Sequence, residues 1–298
     1  MLEAVERKIA QYIAELEDPD AAALYRRLPA GKRLRARLIL TIAGNGLAAV
    51  ETAAVVEMIH AASLLHDDVI DDAFVRRGEA SLNALYGNKT AIMFGDVLYS
   101  KAFHELVDID RRIARVISNA VVQLSLGERR DVLLGERFNP DREAYLGMIY
   151  QKTASLIEAA SEAAALLAGK RPEPYRIYGR NLGIAFQMID DLLDITQPSE
   201  VLGKPAMHDY EEGKTTLPYI TLYERLDEKG RAKLVALHGR RLRPEDQAWI
   251  LAQMQAHDVL EHCYAEAREL VEEAMALMEQ EGEPNLEAIA RKMIERNY

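Results

Sequence analysis

Cysteine is almost missing from this chain of 298 residues. Cys263 stands alone, which excludes an internal disulfide and any zinc site built on cysteine pairs. A solitary thiol is ordinarily a small core residue. No uninterrupted apolar run approaches the ~20 residues of a spanning helix. The start of the chain, Met1 to Arg7, lacks the basic and then apolar layout of a secretion signal. The expectation is a cytoplasmic protein with no stable membrane anchor. Positive charge is also in deficit: a net charge of −11 argues against a nucleic-acid binder that relies on a broad basic surface. Aromatic residues amount to only 6%, too few to favour a pocket walled by cation-stabilising ring faces. What remains, 49% hydrophobic and 29% charged residues, is the composition of an ordinary globular protein.

Apolar residues recur at helical spacing nearly throughout, as in Leu34, Leu38, Ile39 and Ile42 and again in Val55, Ile59, Ala62, Leu65 and Ile70. Strand-like alternation is scarce. Breaks at Pro29–Gly31, Asn45–Gly46, Gly78, Asn139–Pro140, Gly169–Pro174, Pro198, Gly203–Pro205 and Gly239–Pro244 cut the chain into roughly a dozen helices. No fixed-period repeat or linker rich in Gly, Ser and Pro interrupts it, so residues 1–298 read as a single all-α domain. Beyond about Asp227 the pattern is that of peripheral amphipathic helices.

The run Leu64-Leu65-His66-Asp67-Asp68-Val69-Ile70-Asp71-Asp72 places four acids at the end of an apolar helical pattern. Helix positions four apart lie on one face, so Asp67 pairs with Asp71 and Asp68 with Asp72. The arrangement returns in Phe186-Gln187-Met188-Ile189-Asp190-Asp191-Leu192-Leu193-Asp194. A solvated charged face would interleave Lys or Arg at three- or four-residue spacing, and neither cluster does. Like charges so placed repel unless a cation offsets them. Donors that are all oxygen suit magnesium, which keeps several waters and takes one or two carboxylates plus phosphate oxygens. A single cluster would pass for an acidic helix end. Two with the same spacing point to facing helices that clamp a diphosphate through bridging metal ions.

Cations gather beside these acids despite the negative total. Lys32 and Arg35, in Gly31-Lys32-Arg33-Leu34-Arg35, are three apart and expected on one helix face, and Arg76-Arg77 follow the first cluster. Lys152 and Thr153, Lys204 and Lys214 each stand next to small or hydroxyl residues, without the spacing of a Walker loop. Such groups bind phosphate, Arg through its planar fork and Lys as a point charge, although any one of them alone is commonly a solvated charge. His60 lies two helical turns before Asp67, as a core histidine or a ligand.

In this order the motifs closely resemble those of the trans-isoprenyl diphosphate synthases, from about Gly31 to Leu217 and Pro218. The likeness rests on the first aspartate motif with its Arg-Arg, the second preceded by Phe186-Gln187, and the Gly-Lys…Asp…Gly-Lys-x-Thr-Leu-Pro run. Ala36 departs from it, standing where many members have proline. The resemblance implies a helical bundle around a central cavity, working as a homodimer. It implies that Asp67, Asp71 and Asp190, supported by Asp68, Asp191 and Asp194, hold about three magnesium ions with bound diphosphate. By the same likeness Arg76, Lys152, Lys204 and Lys214 contact an allylic diphosphate. Lys32, Arg35, His60 and Arg77 receive isopentenyl diphosphate, and Thr153 and Gln187 turn oxygens toward the allylic cation.

One turn before Asp67 stand Ala62 and Ser63, and Ile59, Val55, Phe103 and Ile117 are candidates for the floor below them. A turn rises 5.4 Å, on the order of one isoprene unit, so small residues there let a growing tail pass and predict a product of about six to ten units. Octaprenyl diphosphate, destined for a quinone side chain, is the expected product. A short-chain farnesyl or geranylgeranyl diphosphate synthase is the principal alternative. A class I terpene cyclase fits poorly with the few aromatics, a head-to-head condensing enzyme with the acid spacing, and a non-catalytic partner subunit with the retention of every aspartate.

Overall fold

The computed structural model describes residues 1–29, 31–76, 78–196 and 207–294, with side chains to 292. Arg77 and Lys204, both expected at the site, lie outside the described residues. Among the described residues the chain forms sixteen α-helices, one π-helical turn and a two-stranded antiparallel ribbon, Val75–Arg76 with Glu79–Ala80. The architecture is all-α, as expected. The helices outnumber the dozen expected, and one of the added boundaries is Gly87, at φ 84°, which ends one helix and begins the next without any proline to announce it.

Two compact units can be distinguished. The first comprises Met1–Val122 and Leu156–Gly179, the second Gln123–Ser155 and Arg180–Tyr298.

In the first unit, α1 (Leu2–Ala14), α2 (Pro19–Arg27) and α3 (Leu34–Ala43) precede the long α4 (Leu47–Ile70). Then follow α5 (Leu82–Tyr86) and α6 (Asn88–Leu106). Local chemistry sets these boundaries. The Asp18 side chain accepts from the amides of Asp20 and Ala21, and Pro19 occupies the first turn of α2, where it gives up no hydrogen bond. Helix α4 packs against α1, α3, α5 and α6, which is why Thr52 through Ile59 are all buried. By length and composition α4 could cross a bilayer, but 61% of its most apolar window is buried inside the fold. One charge lies in that buried stretch. Glu57, 2% exposed, accepts the Ala36 amide of α3 at 3.0 Å and Nη1 of Arg33 at 3.4 Å, so its desolvation is offset by partners.

Helix α7 (Arg111–Gly135) ends in the second unit. It is followed by α8 (Arg142–Ile149), the π-helical turn Tyr150–Ala154 and α9 (Ser155–Leu167). Next come α10 (Pro172–Thr196), the short α11 (His208–Glu211) and α12 (Leu217–Arg225). The chain closes with α13 (Glu228–Leu237), α14 (Pro244–Ala256), α15 (Val259–Gln280) and α16 (Pro284–Ile294). Helices α12 and α16 pack on α15, whose Cys263 is fully buried, with burial pushing its thiol up to about 11. This is the inert core thiol the composition implied.

Candidate active site

The first acidic cluster occupies the C-terminal end of α4. There the helix dipole presents its negative pole, so each added carboxylate is unfavourable without a compensating cation. Asp67 and Asp68 belong to the last turn, Asp71 caps it, and the Asp71 amide still donates to the Asp67 carbonyl at 2.9 Å. Asp72 does not extend the pattern. Its φ is 48°, so it has left the helix and does not stack under Asp68 as four-residue spacing predicts. Arg76, on the strand that follows, returns to the cluster. Its Nε donates to Asp68 at 2.5 Å and its Nη2 to Asp67 at 3.0 Å. Burial alone would weaken the Arg76 charge, but the Asp68 and Asp67 carboxylates outweigh it and raise the pKa. Burial pushes the Asp68 carboxyl up, with Arg76 opposing. Asn83 of α5, 6% exposed, donates to the carbonyls of Asp68 and Ala73 at 3.1 Å each, tying the chain after α4 to the helix end.

The basic residues of this unit are arranged differently from expectation. Lys32 is exposed and precedes α3, and Arg33 between it and the helix has a left-handed φ of 51°. Lys32 and Arg35 therefore share no helix face. Arg33 is no free cation either, since it forks onto Glu6 of α1 at 2.7 and 3.2 Å. Arg35 is the group held ready: its Nε is shut off from solvent without a hydrogen-bond partner, and burial lowers its pKa. An orphaned guanidinium nitrogen of this kind suits an incoming anion. His60 lies three residues, one helical turn, beyond Glu57, the carboxylate whose charge Arg35 feels.

In the second unit a π-helical turn sets the geometry. Tyr150–Ala154 carries one residue more per turn than α-helix, a device common at functional sites. Two glycines grip it. A methyl group on Gly127 of α7 would lie 2.3 Å from the Lys152 amide nitrogen, and one on Gly183 of α10 would lie 2.5 Å from Cα of Ala154. Only glycine permits such approaches. The turn projects Lys152 to Asp131 at 2.6 Å and Glu128 at 3.0 Å, both on α7. It projects Thr153 onto Gln187 of α10, hydroxyl to Oε1 at 2.8 Å.

The second acidic cluster sits near the C-terminal end of α10, again at a negative pole. Its members have different surroundings. Asp190 is exposed. Asp194, 2% exposed, accepts the Asp209 amide at 3.2 Å. Asp191, 3% exposed, accepts the Tyr145 hydroxyl at 2.6 Å and the Gln187 amide at 2.9 Å. Burial, then Asp209, pushes its carboxyl well up, and burial with Asp191 does the same to Tyr145. Lys214, before α12, is 3.3 Å from Glu212.

Residues 20–254 match the family model described as polyprenyl synthetase. The chain belongs to the polyprenyl synthetase family. It is 39% identical to a short chain isoprenyl diphosphate synthase of Methanothermobacter thermautotrophicus, over 70% of this chain and 68% of that one. It is 35% identical to heptaprenyl diphosphate synthase component 2 of Geobacillus stearothermophilus, over 93% and 89%. The crystal structure of octaprenyl pyrophosphate synthase from Helicobacter pylori superposes with a TM-score of 0.94 at 40% identity, covering 99% of this chain and 98% of that one.

This family member is thus a prenyltransferase of isoprenoid biosynthesis, and its family binds diphosphate through divalent metal. The donor set fits such an ion. Each cluster offers carboxylate oxygens at a negative helix pole, yet no three acidic or imidazole side chains converge on one point among the described residues. An ion at either cluster would need further oxygens, from water or from a substrate diphosphate, as magnesium prefers. Sequence reasoning missed Tyr145, Asn83, Gly127 and Gly183, as well as the acids that receive Lys152. None of them stands within a local pattern that marks it.

Proposed function

We propose that this prenyltransferase condenses isopentenyl diphosphate with an allylic diphosphate such as farnesyl diphosphate in successive head-to-tail steps, giving a long all-trans product, octaprenyl diphosphate. The observation that carries this proposal is the pair of carboxylate clusters at two negative helix poles, with Arg76 forked onto the first. Asp67, Asp71 and Asp190 would hold magnesium, about three ions with bound diphosphate, which would supply positive charge to the leaving group. Asp68 and Asp194 support that arrangement. Arg76, Lys152, Lys204 and Lys214 neutralise the allylic diphosphate, and Lys32, Arg35, His60 and Arg77 hold isopentenyl diphosphate. The unpartnered Nε of Arg35 supports the second assignment.

The chain's own residues then act electrostatically. The allylic C–O pair leaves with diphosphate, whose charge these cations stabilise in a water-poor site. Oxygens of Thr153 and Gln187 face the resulting cation. The isopentenyl double bond supplies the pair for the new C–C bond, and the proton lost next to it passes to departing diphosphate. No protein nucleophile is required. Residues 1–298 act as one catalytic domain in the cytoplasm, a location consistent with the lone cysteine. Exposed Ile92 and Met93 on α6 support a homodimer. A quinone side chain is the proposed destination of the product.

A long product is supported by the small side chains of Ala62 and Ser63 on α4, the Ser63 hydroxyl turning back to the His60 carbonyl at 2.9 Å. Neither projects bulk toward a tail. A short-chain product is favoured by a different observation: Tyr99 and Phe103 of α6 stack at 6.4 Å, with His66 tilted onto Tyr99 at 5.6 Å. Product analysis decides between the two. Purified chain, magnesium, farnesyl diphosphate and labelled isopentenyl diphosphate are expected to yield a ladder ending at about eight units, roughly 5 Å of tail per unit. A stop at three or four units selects the short-chain enzyme, and cyclic hydrocarbon or no elongation overturns the assignment.

A further inference from the structure

Asp191 differs from the rest of the second cluster in its surroundings. It is 3% exposed whereas its neighbour Asp190 is exposed, and both of its oxygens already accept hydrogen bonds. Oδ2 takes the Tyr145 hydroxyl at 2.6 Å and Oδ1 takes the amide nitrogen of Gln187 at 2.9 Å. These bonds set a direction. With its NH2 committed to Asp191, Gln187 presents Oε1 to Thr153, whose hydroxyl donates to it at 2.8 Å. A hydroxyl has one proton, so donation to Gln187 leaves the Thr153 lone pairs free to face elsewhere. From Tyr145 to Thr153 the four groups form one chain in which both ends donate, Gln187 donates and accepts, and Asp191 accepts on both sides.

We propose that Asp191 is a positioning residue and not a magnesium ligand: held by Tyr145, it fixes the Gln187 amide and the Thr153 hydroxyl so that oxygens meet the allylic cation. The proposal rests on the reading of Thr153 and Gln187 given above. Its chemistry is that of preorganised dipoles. An amide turned the other way would aim N–H at a carbon becoming positive, and the site would lose stabilisation at the moment charge develops. Tyr145, 2% exposed, has no second use for its hydroxyl proton in this arrangement. The two donors reach different oxygens of Asp191, so asparagine there sets its NH2 against one of them, and where that is Gln187 the amide is invited to flip.

The test uses the full chain with Asp191→Asn, Tyr145→Phe, Gln187→Leu, Thr153→Val and the double variant D191N/Q187L. Thermal unfolding is followed alongside kcat, both KM values and the magnesium concentration at half-maximal rate. Asp191→Asn is expected to lower kcat about 10- to 100-fold while both KM values and the magnesium requirement stay within about twofold. Tyr145→Phe should lower kcat in the same sense, and it carries the test if Asp191→Asn does not fold. In the Gln187→Leu background, Asp191→Asn should cost little more, because it acts through Gln187. A raised magnesium requirement in Asp191→Asn, or a fully additive loss in the double variant, overturns the proposal. Loss in Gln187→Leu and Thr153→Val without loss in Asp191→Asn or Tyr145→Phe overturns it alone. No loss in Gln187→Leu or Thr153→Val removes the reading beneath it as well.

Discussion

A guanidinium carries its donors in a rigid planar fork, and Arg76 uses that fork to span two carboxylates, Asp68 at 2.5 Å and Asp67 at 3.0 Å. A lysine ammonium is a point charge on a flexible stem and lacks that planar fork. Arg76→Lys keeps the charge but loses the fixed geometry that spans the two aspartates, and a weaker hold on the allylic diphosphate follows. Steady-state kinetics should show its KM raised about tenfold, a loss near 1.4 kcal/mol. The KM for isopentenyl diphosphate should stay nearly unchanged. Asp67, Asp68, Asp71, Asp190, Asp191 and Asp194 were legible in the sequence because repeated like charge inside apolar helices breaks the rule for a solvated face. Their separate environments were not. The sequence treats Asp190 and Asp191 as one motif, yet the structure leaves the first exposed and buries the second against Tyr145. That distinction depends on a tyrosine 46 positions away in the chain.

Helices were legible from period and breaks, but two local features were not. The π-helical turn Tyr150–Ala154 contains no glycine or proline, so nothing within it signals a departure from α-helix. What requires it lies on other elements, Gly127 and Gly183, whose missing side chains let α7 and α10 close on the turn. Gly127→Ala places a methyl group 2.3 Å from the Lys152 nitrogen, and backbone cannot yield as a flexible side chain would. Overpacking of this kind costs about 1–3 kcal/mol. A lower Tm in thermal unfolding is expected, with kcat falling further than stability because Lys152 and Thr153 are displaced together. Intact kcat in a destabilised Gly127→Ala would mean that the turn only packs and does not position. The loop that carries Lys214 gives a pH prediction. His238 lies 3.1 Å from Thr215 in that loop, and burial lowers its pKa from 6.5. Above that value the imidazole is neutral folded or unfolded. As pH falls through and below it, the unfolded chain takes up the proton first, so stability is lost on acidification. Thermal unfolding from pH 7.5 to 5.5, about one unit either side of the free histidine value, should show a Tm decline that is smaller in His238→Gln.

At the scale of the whole molecule, an excess of negative charge and anionic substrates have to be reconciled. The net charge is −11, yet three of the five described Lys and Arg residues assigned to diphosphate are balanced by a nearby acid: Arg76 by Asp67 and Asp68, Lys152 by Asp131 and Glu128, Lys214 by Glu212. Local charge, and not the total, is what an incoming diphosphate meets. Product length is not a property of one motif, and sequence reading reached Ala62, Ser63, Ile59 and Phe103 but not Tyr99. Tyr99 comes from α6, and only packing reveals its ring against His66 of α4. The two residues make opposite predictions about one observable. Ala62→Phe places a ring one turn before Asp67 and shortens the product ladder if the tail runs along α4. Tyr99→Ala removes a ring and lengthens the ladder if the Tyr99–Phe103 stack is what stops growth. Each helical turn of path is worth about 5.4 Å, close to one isoprene unit, so a shift of at least one unit is the expected signal. Shortening in Ala62→Phe with no lengthening in Tyr99→Ala would assign the path to α4 and leave the aromatic stack as packing. The reverse pair of results would make the stack the floor and the short-chain reading the correct one.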